Sequence, residues 1–148
     1  MEAKTKTKLL KAEDYHEQEV AELEQEKLDF KRAEEALRES EGKYRSLVEN
    51  SNDGIVIVQG RRIVFANKVV KEISGYSEEE LKKLSFIKLI APSSRSAVVK
   101  RYFARLAGLQ VKNRFELEVL TKEGKIIPCE ISSSAITYHG KNAIQATL

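Results

Sequence analysis

Side chains able to do covalent or metal chemistry are few and scattered. The 148-residue chain has two histidines, His16 and His139, and a single cysteine, Cys129. One thiol cannot close an internal disulfide, and one Cys with two His falls short of the four ligands of a structural zinc site. His139 sits in Tyr138-His139-Gly140-Lys141, where a solvated turn histidine is expected. Cys129 alternates with Ile127 and Ile131, so it reads as a small core residue, and no cationic sequence neighbour would lower its pKa. No catalytic set and no metal site are expected.

The residues that could hold something are apolar. A helix face of Val98, Val99, Tyr102, Phe103 and Leu106 is followed by strands whose inward positions are Phe115, Leu117 and Val119, then Ile127, Cys129 and Ile131, then Ile144, Ala146 and Leu148. Between them either a small-molecule pocket or a plainly filled core fits the pattern. Val98, Tyr102, Phe103, Phe115, Leu117, Cys129, Ile131, Ile144 and Ala146 are the candidate pocket residues, with Tyr102 the expected polar contact. Asn67, at a strand end before a helix, is expected to cap that helix.

The elements that must position these residues begin near Asn50-Ser51-Asn52-Asp53-Gly54, a dense turn signal. Ile55–Val58 and Ile63–Ala66 flank Gln59-Gly60-Arg61 as a hairpin. Lys68–Ser74 is a short helix stopped by Gly75, and Ser77 with Glu80 forms a capping box for a helix to Leu84. A brief piece over Ser85–Ile90 precedes a longer helix capped by Ser93 or Ser94 and ended by Gly108. Phe115, Leu117 and Val119 alternate with Arg114, Glu116 and Glu118, the mark of a half-buried antiparallel strand. Turns at Lys122-Glu123-Gly124-Lys125 and His139-Gly140-Lys141-Asn142 separate the last strands. The order ββααααβββ predicts an α+β plan with one antiparallel sheet.

Ahead of this domain the chain changes character. Residues 1–41 carry 8 Lys/Arg against 13 Asp/Glu, and residues 42–148 carry 18 against 10. From Lys8 to Leu47 there is no Pro, one Gly, and mostly good helix formers. Leu9, His16, Leu23, Phe30, Leu37 and Tyr44 recur every seven residues, while the companion positions Glu19, Glu26 and Ser40 are polar. So narrow a stripe on so long a helix calls for a partner helix, most simply that of a second copy, rather than a solvated single helix held by pairs such as Glu34–Arg38. Spacing does not distinguish parallel from antiparallel pairing. His16 on the stripe either tunes pairing near its unperturbed pKa of about 6.5 or is a tolerated seam residue. A break is expected near Gly42.

The domain resembles the PAS (sensory-box) family over roughly residues 39–148. The resemblance rests on Tyr44–Glu49 with Asp53-Gly54-Ile55, on Phe65-Ala66-Asn67-Lys68, on Gly75-Tyr76-Ser77-Glu78-Glu79-Glu80-Leu81, on Pro92 and Arg95, and on Phe115–Leu117 with the turn at Lys122–Lys125 and Ile127–Ser132. It implies a five-stranded antiparallel sheet with helices packed on one face, preceded here by a long helix: residues 1–41 a coiled-coil-like helix, residues 42–148 the PAS domain. The family's usual closing Asp-Ile-Thr would fall just past Leu148, and no kinase box, nucleotide motif or helix-turn-helix accompanies it. Haem-binding members use a His on the long helix, and Ser94–Leu106 has none; flavin-binding members use a Cys before it, and Phe86–Ala91 has none. Neither cofactor is expected.

The expected function is therefore the input part of a signalling protein, most simply a histidine kinase, in which a ligand- or partner-dependent bias passes through a dimeric helix. A ligand-free dimerisation or spacer module is the alternative. Nucleic-acid binding is a third reading and is not expected, because the basic cluster Arg95, Lys100, Arg101, Arg105, Lys112 and Arg114 reads as a solvated face. No apolar run of membrane-spanning length occurs and no secretory leader pattern opens the chain, so a cytoplasmic setting is expected.

Overall fold

The computed structural model describes residues 1–148, which divide into two compact units, Met1–Arg45 and Ser46–Leu148. The first is helical throughout. Helix α1 runs Glu2–Glu49, and none of its residues is buried. The break expected at Gly42 does not occur. A lone Gly costs a helix only about 1 kcal/mol relative to Ala, and the flanking Glu, Ser, Lys and Tyr sustain the hydrogen-bond ladder. α1 ends instead where the turn sequence Asn50–Gly54 begins.

The second unit is built on one five-stranded antiparallel sheet of order β2-β1-β5-β4-β3, with β1 Ile55–Gln59, β2 Arg62–Ala66, β3 Arg114–Leu120, β4 Ile126–Tyr138 and β5 Lys141–Thr147. Two of its hairpins have two-residue loops with both residues at positive φ, Gly60-Arg61 (58° and 68°) and His139-Gly140 (48° and 75°). This is the mirror-image turn whose twist matches that of the strands it joins.

Between β2 and β3 lie α2 Lys68–Ser74, α3 Glu78–Lys83, a 3₁₀ turn Phe86–Leu89 and α4 Pro92–Leu106. Gly75 ends α2 in the left-handed region (φ 77°), with its N–H donating to the Lys71 carbonyl. The capping box at α3 is complete: Ser77 Oγ accepts from Glu80 N, and the Glu80 carboxylate accepts from Ser77 N.

At α4 the start lies upstream of the expected serines. Ala91 is the N-cap and Pro92 occupies the first turn, where its missing N–H would have had no helical partner. Ser93 and Ser94 are thereby freed to bond Glu118: Ser93 Oγ donates to its carboxylate and Ser94 Oγ accepts from its N–H, both at 3.1 Å. With Ala91 N donating to Glu118 O at 2.8 Å, these bonds fasten the beginning of α4 to β3.

Candidate ligand cavity and helix stripe

Where α4 and the 3₁₀ turn cross the sheet, side chains leave a largely apolar cavity of about 110 Å³. Strand alternation brings Leu117, Val119, Ile131 and Ile144 onto the face beneath the helices, and all four are buried. Of the nine pocket residues expected from sequence, Val98, Tyr102, Phe115, Leu117, Ile131, Ile144 and Ala146 line the cavity.

Phe103 and Cys129 do not. Phe103 is 45% exposed, and the Arg61 guanidinium lies 5.2 Å from its ring centroid. At about 100° per residue, position 103 falls roughly 140° around the helix from Val98, away from the sheet. Cys129 pairs with Leu117 across β3–β4 and packs against the core, two pairs further along the ladder from the cavity-lining Phe115–Ile131 pair. Partial burial there pushes its thiol pKa up.

The same wheel arithmetic places Arg101 and Arg105 beside Val98 and Tyr102, and both arginines line the cavity. Reading the basic cluster as a uniformly solvated face missed this. The Arg101 guanidinium sits 4.2 Å from the centroid of the Phe115 ring. Arg105 donates to Asn113 Oδ1 (3.1 Å) and to the Lys112 carbonyl (2.9 Å), fixing the loop before β3. Arg95 Nε donates to the Ile90 carbonyl at 3.0 Å. Only Lys100, Lys112 and Arg114 of that cluster are exposed.

The Tyr102 hydroxyl is already engaged. It accepts from Arg61 N at 3.2 Å, at the positive-φ residue of the first hairpin, while its ring packs 4.8 Å from Phe86. It therefore braces the hairpin against α4 through its acceptor side, while its O–H can still donate. Every buried side-chain N and O has a hydrogen-bond partner.

Asn67 is the most connected of these polar groups and is fully buried. Its Oδ1 accepts from Ile55 N (2.9 Å) and Val70 N (3.3 Å), and its Nδ2 donates to Val48 O and Asp53 O (both 2.9 Å). It caps α2 as expected. It also joins β1, the Asp53 turn and the last turn of α1, a role that spacing did not reveal.

Along α1, Leu9, Leu23, Phe30, Leu37 and Tyr44 are 59–69% exposed, and His16 is exposed too. His139 is an exposed turn residue packed edge-on to Tyr138. No three of the His, Cys, Asp and Glu side chains converge as metal ligands.

The domain is thus a five-stranded antiparallel sheet with short helices closing an apolar cavity over one face. A family model described as PAS fold matches residues 42–148, and the chain belongs to the PAS family. Among curated proteins it is 33% identical over 114 residues to the methyl sulfide methyltransferase-associated sensor of Methanosarcina acetivorans, covering 76% of this chain and 11% of that protein. It is 32% identical over 103 residues to the sensor histidine kinase TmoS of Ectopseudomonas mendocina, covering 69% and 11% respectively. The chain thus spans about a tenth of the length of these relatives. The PAS domain of an HTR-like protein from Haloarcula marismortui shares the fold, with a TM-score of 0.66 at 24% identity over 79% of this chain and 96% of that one. The chain is a sensor module of the kind found in signal-transduction proteins. No helix in it is long and apolar enough to cross a membrane.

Proposed function

We propose that the chain is the sensory input segment of a longer signalling protein of the sensor histidine kinase type, working in the cytoplasm as a homodimer paired through α1. The observation that carries this is the stripe on α1. Five large apolar residues recur at heptad spacing, each more than half exposed, on a 48-residue helix with no buried residue. A second copy of the helix would remove that surface from water. A small ligand held between α4 and the sheet would favour one packing of the domain, and the paired helices would carry the bias to an output domain. Only a ligand with unequal affinity for the two packings can do so. The lone free thiol, Cys129, accords with a reducing compartment.

Sedimentation equilibrium of the 148-residue chain tests the pairing. A concentration-dependent dimer is expected, and L23K/F30K, which puts charges into the middle of the stripe, is expected to sediment as a monomer with an unchanged far-ultraviolet signature of the domain's sheet. A wild-type monomer at high micromolar concentration would overturn the dimeric reading.

A further inference from the structure

The cavity's floor and its rim differ in chemistry. Its lining includes two guanidinium side chains, Arg101 and Arg105, and no Asp or Glu. All four ion pairs in the structure are made by lysines, so neither arginine has a carboxylate partner. Arg105 spends two donors on Asn113 and Lys112. The Arg101 guanidinium lies 4.2 Å from the Phe115 ring centroid and takes part in no side-chain hydrogen bond or ion pair, which leaves its N–H donors available. The planar guanidinium fork matches a carboxylate in two-point contact.

We propose that the cavity binds a small monocarboxylate, its apolar tail among Leu117, Ile131 and Ile144 and its carboxylate on Arg101 at the rim. This rests on the ligand-sensing reading above and gives it a ligand class. Size sets the tail. A cavity of roughly 150 Å³ holds the six carbons of benzene, so about 110 Å³ takes roughly four carbons. Pentanoate has such a tail. The neutral tail explains the mostly apolar lining, and the anion explains why two cations and no acid stand among it.

The experiment is an amide-resolved NMR titration of the full chain with pentanoate, its neutral isostere pentanamide, and acetate, which has the charge without the tail. Pentanoate is expected to shift amides of the cavity residues Val98, Leu117, Ile131 and Ile144. Pentanamide should bind there at least about tenfold more weakly, because a charge-assisted hydrogen bond is lost. Acetate should leave those amides unmoved. Arg101→Gln should abolish the preference for pentanoate over pentanamide, and wild-type dispersion of the Val98, Leu117, Ile131 and Ile144 amides in the ligand-free spectrum shows that the variant is folded and its cavity intact. Equal binding of pentanoate and pentanamide, or an undiminished preference in R101Q, overturns the carboxylate assignment while the cavity stands as an apolar site. Failure of both five-carbon ligands to move the cavity amides overturns the assignment of this ligand class, whereas the ligand-sensing reading falls only if small molecules of other classes leave those amides unmoved too.

Discussion

Asn67→Ala should be the most damaging single polar substitution in the domain. The wild-type side chain is fully buried and makes four hydrogen bonds, three of them at 2.9 Å. Each such bond contributes about 1 kcal/mol net, and a buried group left without a partner costs about 1–3 kcal/mol. Water can reach some of the partly buried partners, which holds the total to about 3–4 kcal/mol, a large share of the roughly 5–15 kcal/mol typical of a domain. Urea unfolding followed by circular dichroism reads this as a midpoint lowered by roughly 2 M, for a denaturant slope of about 1–3 kcal/mol per M. Faster exchange of the Ile55 and Val70 amides should accompany it, since both lose their acceptor.

Asn67→Asp separates bonding from shape. The carboxylate keeps Oδ1 as acceptor but turns an oxygen toward the carbonyls of Val48 and Asp53, so at pH 7 it should cost at least as much as Ala. Protonation restores one donor, which raises this carboxyl's pKa in the folded state above its unfolded value of about 3.9. The penalty of N67D is therefore smallest in acid and grows as pH rises through the folded-state pKa. A loss below about 1 kcal/mol in N67A, or wild-type stability of N67D at pH 7, would refute the view of Asn67 as the junction of β1, α2 and the last turn of α1.

Two glycines should respond in opposite directions in the same urea assay. Gly75→Ala forces a side chain into the left-handed region at φ 77° and should cost about 1–2 kcal/mol, whereas Gly42→Ala, inside α1 with nothing within 4 Å of its Cβ, should raise helicity and gain about 1 kcal/mol. The hydrogen bond from Lys122 Nζ (2.7 Å) and the one from Ser77 N hold the Glu80 carboxyl below its ordinary pKa of 4.5. Its stabilisation is present above that value and is lost as pH falls through the lower folded-state pKa, so thermal melts of wild type and Glu80→Gln should converge on going from pH 7 to pH 3. Because burial raises the Cys129 pKa, a thiol reagent at pH 8 should react more slowly with the native chain than with the chain in denaturant; equal rates would contradict its packing.

Much of this was legible in the amino-acid order because it is governed by local physics. Period-two alternation from Arg114 to Val119, the Ser77–Glu80 box and the Gly75 stop depend on neighbours within four residues, and the structure realises each where the sequence puts it. The heptad stripe on α1 is local in the same sense, and in the single chain it is exposed. Helix phase was equally available: it places Arg101 and Arg105 with Val98 and turns Phe103 outward, but hydrophobicity taken alone assigns these residues the opposite way.

Tertiary structure decided the rest. The start of α4 at Pro92 follows from Glu118, a residue of β3 that takes up both serines which sequence would make caps. Tyr102 gained a tie to the backbone of Arg61, 41 positions earlier, and Asn67 gained partners on three further segments. The existence and volume of the cavity are decided at the same level. Alternation says which side chains face inward, but how completely they fill the space depends on rotamers and on the spacing between helix and sheet, which no local pattern encodes.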